Sequence, residues 1–381
     1  MTKKYNERLK RIQKILNFEQ PDRIPIITFM QEWAMSYAGI PTAACLNDIE
    51  LEKSVYKKVY SDFDFDGTMY NSISPIDILT TLGSKSYFIS DDGYSVQCTH
   101  DIVGMVANDY EKLIENPFSF LTNTALPRKN ANFTGNDRYS ILDKTMVQMD
   151  QYFNRCEDLK DYANTVLDMP VLRGSQVIAP IDLMLGGLRG FTGLIKDMRR
   201  NKDLLIKALE KLVPYCSSVY HLNESDIVSY PLYGTNGITG SFLSPKQFET
   251  FLLPTYEPEI MKIHRGGGQI IIHMQGQWEQ HFDWFARQPK GLFIACIGGD
   301  DIFKAKKHLG ANCIVCGGIE QKRLKYGTKT ECTDFIKKVI DECACDGGFM
   351  FSNDIVFSSP NDVNIDNLHA VIDCIHTYGN Y

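Results

Sequence analysis

The run 269–276 drives three isoleucines into His273, keeps a carboxamide two residues on at Gln275, and turns at Gly276. Residues two apart on a strand face the same side, so the imidazole and the carboxamide are presented together. An imidazole so placed can move a proton, hold a substrate oxygen or ligate a metal. Other apolar runs end the same way. Gln31, Glu32 and Trp33 follow the run 23–30, Tyr70 and Asn71 lie at the end of the run 66–72, and Asp182 follows the run 174–180. Further on come Tyr233 with Asn236, Asp300 with Asp301, Glu320, and Asn353 with Asp354, Phe357 standing just beyond. The set is acidic, aromatic and amide-rich, and it is short of Arg and Lys. Each member also has a purely structural reading. Glu32 could serve a helix N-terminus and Asp300 or Asp301 could cap a helix. Asn353 and Asp354 could be turn residues, while Tyr70 and Tyr233 could be packing.

Eight apolar runs carry these residues: 23–30, 66–72, 174–180, 226–234, 268–276, 291–299, 311–318 and 347–354. Continuous apolar strands alternating with helical stretches imply a parallel sheet covered by helices. Eight units predict an α/β fold of the (β/α)8 TIM-barrel kind, whose functional groups gather at the carboxyl ends of the strands. Two departures interrupt the alternation. Residues 84–100 alternate around Asp92-Gly93 and predict an inserted β-hairpin, and the polar stretch 110–165 predicts a helical excursion. With no linker in sight, residues 1–381 read as one domain. Ser244 with Pro245, and Thr328, mark helix starts.

Composition narrows the function. The chain is 44% hydrophobic and 23% charged, with a formal net charge of −7. Its pI is near 5.7 and its mean hydropathy −0.22. That balance argues against nucleic acid or an anionic membrane as partner. No run of about eighteen apolar residues exists to span a bilayer. The first twenty residues read as a charged amphipathic helix rather than a leader, so a cytoplasmic protein is expected. Eleven cysteines at irregular spacing form no disulfide framework. Cys313 and Cys316 match C-x-x-C, but three residues apart on a strand they point to opposite faces, as buried small hydrophobes.

Five stretches, in order and spanning nearly the whole chain, carry a family likeness: 8–26, 177–209, 243–254, 270–276, and the segments of 317–379 around "GGIEQKRLKYGT" and "GGFMFSNDIVF". With them the chain resembles the uroporphyrinogen decarboxylase superfamily, which also contains corrinoid-dependent methyltransferases. The resemblance implies a barrel with its site at the strand ends. Decarboxylases of this kind are similar to one another in an arginine-rich loop after strand one, which holds a substrate of eight carboxylates. Here no Lys or Arg occurs from Ile24 to Glu52. A polyanion needs cationic forks, so that activity is disfavoured. The thiol-methylating branch resembles zinc enzymes with His-x-Cys at strand five and a Cys after strand eight. His273 matches the first ligand, but Gln275 and a position near Ile355 replace the thiolates, so zinc lacks its thiolate motif.

What remains is the branch that moves a methyl group from a small donor, such as a methoxylated aromatic compound (O-demethylation), to the Co(I) corrinoid of a separate protein. By that resemblance, His273 with Glu32 and Asp354 would handle the departing ether oxygen. Trp33, Tyr70, Tyr233 and Phe357 would hold the ring, and Asn71, Asn236, Gln275 and Asn353 would supply amides. Cobalamin would come with the partner corrinoid protein. A minority reading makes Glu32, His273 and Asp354 ligands of a metal. Two alternatives stand beside it: a decarboxylase of a small carboxylated substrate, favoured if Arg189 projects into the mouth, and a non-catalytic corrinoid or tetrapyrrole binder. Relatives of both monomeric and homodimeric kind exist.

Overall fold

The computed structural model describes residues 1–69, 71–99, 102–135, 137–172, 175–217, 232–236 and 239–381, with backbone alone at 175, 217 and 232–236. Strands β1 (Ile27–Thr28) and β2 (Gly67–Thr68) pair in parallel. Strands β3 (Tyr87–Ile89) and β4 (Val96–Cys98) form the antiparallel hairpin around Asp92-Gly93. A six-stranded parallel sheet then follows in chain order: β5 (Ser175–Gln176), β6 (Leu232–Asn236), β7 (Gln269–Met274), β8 (Phe293–Ile297), β9 (Ile314–Ile319) and β10 (Phe349–Asn353).

Among the described residues the fold is thus α/β with eight parallel strands, and no continuous ladder closes around them. Isolated parallel bridges tie the two sheets, Thr68 to Val171 ahead of β5 on one side, and Ile26 to Phe351 and Met30 to Phe357 on the other. Side chains occupy the seams where backbone pairing would run. Asp66 Oδ2 accepts the Ile26 N–H at 2.9 Å. The Asn353 amide accepts the Phe29 N–H at 3.3 Å and donates to the Phe29 carbonyl at 3.0 Å. The third predicted strand is shorter than expected, because Pro180 opens a helix, Pro180–Leu183. Of the predicted run 226–234, residues 226–231 lie outside the described ones.

Alternation along the strands sorts the core into two layers. Ile270, Ile272, Phe293, Ala295, Val315, Phe349 and Phe351 face the helices. Ile27, Phe29, Met69, Leu172, Ile271, Ile294, Cys296, Ile314, Cys316 and Met350 form a second cluster, drawn from both sheets. Cys313 joins the helix-facing layer and Cys316 the other, as their spacing predicts. The N-terminal helix Lys3–Leu16 plugs the second cluster with Ile12, Ile15 and Leu16. Its Arg11 is bound to the fully buried Asp66 at 2.5 Å, and Arg23 grips the same carboxylate at 2.6 Å. A buried carboxylate with two guanidinium partners and a backbone N–H is satisfied rather than reactive. Asp22, also held by Arg11, has its pKa lowered to about 2 by that bond.

The stretch after the hairpin is helical, as expected, and its longest helix is Arg138–Thr165. Arg155 on that helix ties it to the buried Glu52 and to the carbonyls of Cys45 and Leu46. Helix starts follow the sequence signals, with a Ser244–Gln247 capping box before Pro245 and a Thr328–Glu331 box.

Candidate active site

His273 sits near the end of β7 on the inner layer, 9% exposed. Its ring stands edge-on to Phe29, the residue just after β1, centroids 4.5 Å apart and planes at 85°. These strands are not neighbours in either sheet, so the contact spans the interior. The imidazole therefore lies at the top of the packed inner layer, with Asn236 and Cys296 as its backbone register partners. Gln275, two residues on, is exposed.

The carboxylates are more committed than the sequence suggests. Glu32 begins the helix Trp33–Ala38, but its side chain makes no capping bond to it. Instead its Oε1 accepts from Ser74, at 3.1 Å from N and 2.6 Å from Oγ. Glu52 accepts the Ile73 N–H next door at 2.9 Å, and Tyr152 donates to the Ile73 carbonyl. Asn71 accepts from the Tyr60 hydroxyl and donates to the Leu159 carbonyl, both at 2.8 Å. Four side chains, those of Glu32, Glu52, Tyr60 and Tyr152, thus grip the segment 71–74 after β2. Asn71 is a bracket in the wall, with both ends of its amide engaged, rather than a group free to meet substrate.

Asp354 accepts the Gln321 N–H at 2.8 Å, closing the start of the helix Gln321–Tyr326. Burial pushes its pKa up to about 6. Asn353 is spent on Phe29 and on the Ile355 carbonyl, so it seals the seam between β10 and β1. Trp33 and Phe357 are core aromatics, 1% and 2% exposed, with centroids 5.6 Å apart. Trp33 also stacks on Tyr37 at 5.3 Å. A ring in the mouth could not touch either without moving them, which corrects their expected role as substrate platforms. Tyr70 lies outside the described residues, and Tyr233 and Asn236 are described by backbone only.

Other strand-end acids resolve as caps. Asp301 accepts from the Phe303 and Lys304 N–H groups, and Asp300 from those of Trp278 and Glu279. Asp182 differs. Its carboxylate accepts the hydroxyl of the fully buried Thr239, and burial raises its pKa to about 7. Sequence reading placed Asp182 at a strand end but could not foresee this partner, which comes from the loop after β6. Arg189 does not project into a cavity: its Nε binds Asp197 at 2.5 Å, Nη1 binds the Met105 carbonyl, and Tyr110 completes the carboxylate.

Three comparisons bear on this architecture. The sequence profile described as "Uroporphyrinogen decarboxylase (URO-D)" matches residues 142–378, more than half of the chain. The chain belongs to that family. Its fold is similar to that of a methyltransferase from Methanosarcina mazei at a TM-score of 0.65, with 12% identity, covering 97% of this chain and 98% of that one. No curated protein matches by sequence. Among the described residues, no helix is long and apolar enough to cross a membrane.

A zinc centre does not fit the residues present. Gln275 and Ile355 are exposed and carry no thiolate, and among the described residues no three His, Cys, Asp or Glu side chains gather to hold a metal. Glu32, His273 and Asp354 are not brought together as a ligand set; the two carboxylates face Ser74 and Gln321.

Proposed function

We propose that this protein transfers a methyl group from a small donor, foremost a methoxylated aromatic compound, to the corrinoid of a partner protein, working as a closed (β/α)8 barrel. The observation that carries the reading is the scarcity of free cations where a decarboxylase would need them. The segment from Ile24 to Glu52 has none, and among the described residues Arg189, a candidate for such a role, is locked to Asp197. Arg128 and Arg155 are likewise paired, with Asp109 and Glu52. Family membership and the likeness of fold to a protein called a methyltransferase support the same class.

A Co(I) corrinoid supplies the nucleophile in such a transfer. The chain's own task is to orient the donor and stabilise the oxygen that departs. His273, packed edge-on against Phe29 at the top of the inner layer, is the group for that oxygen. Placing a proton there is worth about 3–5 kcal/mol by comparison with general-acid and electrostatic catalysis elsewhere. Asp354, with its pKa raised to about 6, is the carboxyl of this set able to carry a proton near neutral pH, and Glu32 acts by fixing the segment after β2.

The test is incubation with a Co(I) corrinoid protein and a panel of methoxybenzenes, following methylcobalamin by its absorbance. Formation is expected with at least one donor, and His273→Ala should abolish it while keeping the wild-type unfolding midpoint. Release of carbon dioxide from a carboxylated substrate, or cobalamin uptake without turnover, would replace this reading. Full transfer by the His273→Ala variant would remove the imidazole from the mechanism.

A further inference from the structure

The inner wall that carries His273 also carries two thiols that the proposed transfer does not use. Cys296 on β8 and Cys316 on β9 are direct register partners on adjacent parallel strands. Both belong to the inner cluster, at 7% and 0% exposed. As register partners in one inner cluster, their side chains stand side by side on the same face. Parallel neighbours stand about 4.8 Å apart, and a shared face aims both side chains the same way. His273 is the next residue along this register row, beside Cys296. It stays outside the pair, since no three such donors gather among the described residues.

Two sulfurs held together on rigid strands are a preformed chelate. Neither needs a backbone change to meet a common atom, and the wall around them is apolar, with Ile271, Ile294 and Ile314 and the thioether of Met350, a further soft donor. Cys296 shows the small exposure through which an incoming species would reach the pair. We propose that Cys296 and Cys316 form a dithiol site for a thiophilic centre, either a soft divalent cation of the cadmium class or a trivalent arsenical, bridged between the two sulfurs. With an arsenical oxide, two As–S bonds form and the As=O bond is lost. Both thiol protons leave with that oxygen as water, and no atom changes oxidation state. With a cation, the two protons pass to solvent as two metal–sulfur bonds form. The proposal stands independently of the methyl-transfer reading.

The experiment uses the full-length protein, reduced and free of added metal. Phenylarsine oxide is titrated in one arm and cadmium in the other, the second followed by thiolate-to-metal charge-transfer absorption. One equivalent per chain is expected in at least one arm. In the folded wild type the bound probe should protect Cys296 and Cys316, and not Cys313, from alkylation as read by peptide mass spectrometry. Binding in only one arm assigns the site to that class. Cys296→Ala and Cys316→Val should each lose the equivalent, while Cys313→Ser, on the opposite face, and Cys345→Ser, near Cys343, should keep it. Should either core variant misfold, the protection pattern of the wild type decides alone. Binding in neither arm, protection at other cysteines, or an equivalent retained in folded Cys316→Val overturns the site.

Discussion

At the scale of single residues, the buried acids set the behaviour with pH. Burial holds Asp182 near 7 and Asp354 near 6, both above the ordinary carboxylate range. Between about pH 4, where such groups titrate in the unfolded chain, and those values, the native state binds more protons than the unfolded one. Stability from these two groups is therefore complete at low pH and lost as pH rises through 6 and 7. Asp22 works in the other direction, its contribution fading only as pH falls toward 2. Asp182→Asn keeps an acceptor for Thr239 without a charge. Urea melts across pH 5 to 8 should show that its decline over this window is reduced, by up to a few kcal/mol; an unchanged slope would show that the Asp182 carboxylate is solvated. The types of residue were legible in the sequence, and so were the caps at Ser244, Asp301 and Thr328. The partners were not. Thr239 lies 57 positions from Asp182 and Ser74 lies 42 from Glu32, and no local spacing announces such pairs.

At the scale of elements, two devices replace ladder hydrogen bonds. Asn353 closes β10 onto β1 through Phe29, and the Glu52–Arg155 pair fastens the helix Arg138–Thr165 to the segment after β2. Asn353→Leu removes an acceptor for the buried Phe29 N–H and one of the donors to its carbonyl, which keeps the Phe357 N–H. It should cost about 1–3 kcal/mol by denaturant unfolding. Because Phe29 packs on His273, transfer activity should fall more than stability alone explains. Arg155→Met leaves Glu52, fully buried, without its cation. A loss of about 3–5 kcal/mol is expected, and replacing both partners with apolar residues should recover much of it. A double-mutant cycle measures the difference. Strand periodicity announced the eight runs, the hairpin and the helical excursion. It could not announce that β1 and β2 would shrink to two residues each, with the Asp66 and Asn353 side chains holding the N–H groups of Ile26 and Phe29.

At the scale of the whole molecule, the N-terminal helix plugs an inner layer to which both sheets contribute. Removing residues 1–17 would expose Ile27, Met69, Ile271 and Ile314 and leave Asp66 with one guanidinium fewer. The shortened chain should lose its cooperative unfolding transition or aggregate on expression; a wild-type melting curve would show that the plug is dispensable. By itself the sequence determined the alternation of strands and helices, the poverty of cations between Ile24 and Glu52, and the family likeness, because each is written in local order and composition. Only the tertiary structure decided which strand-end groups are free to act. It committed Glu32, Asn71 and Asn353 to scaffolding, buried Trp33 and Phe357 in the core, paired Arg189 with Asp197, and set Cys296 against Cys316. The physical reason is that a polar group taken out of water must find a partner, and in this fold that partner stands tens to hundreds of residues away along the chain.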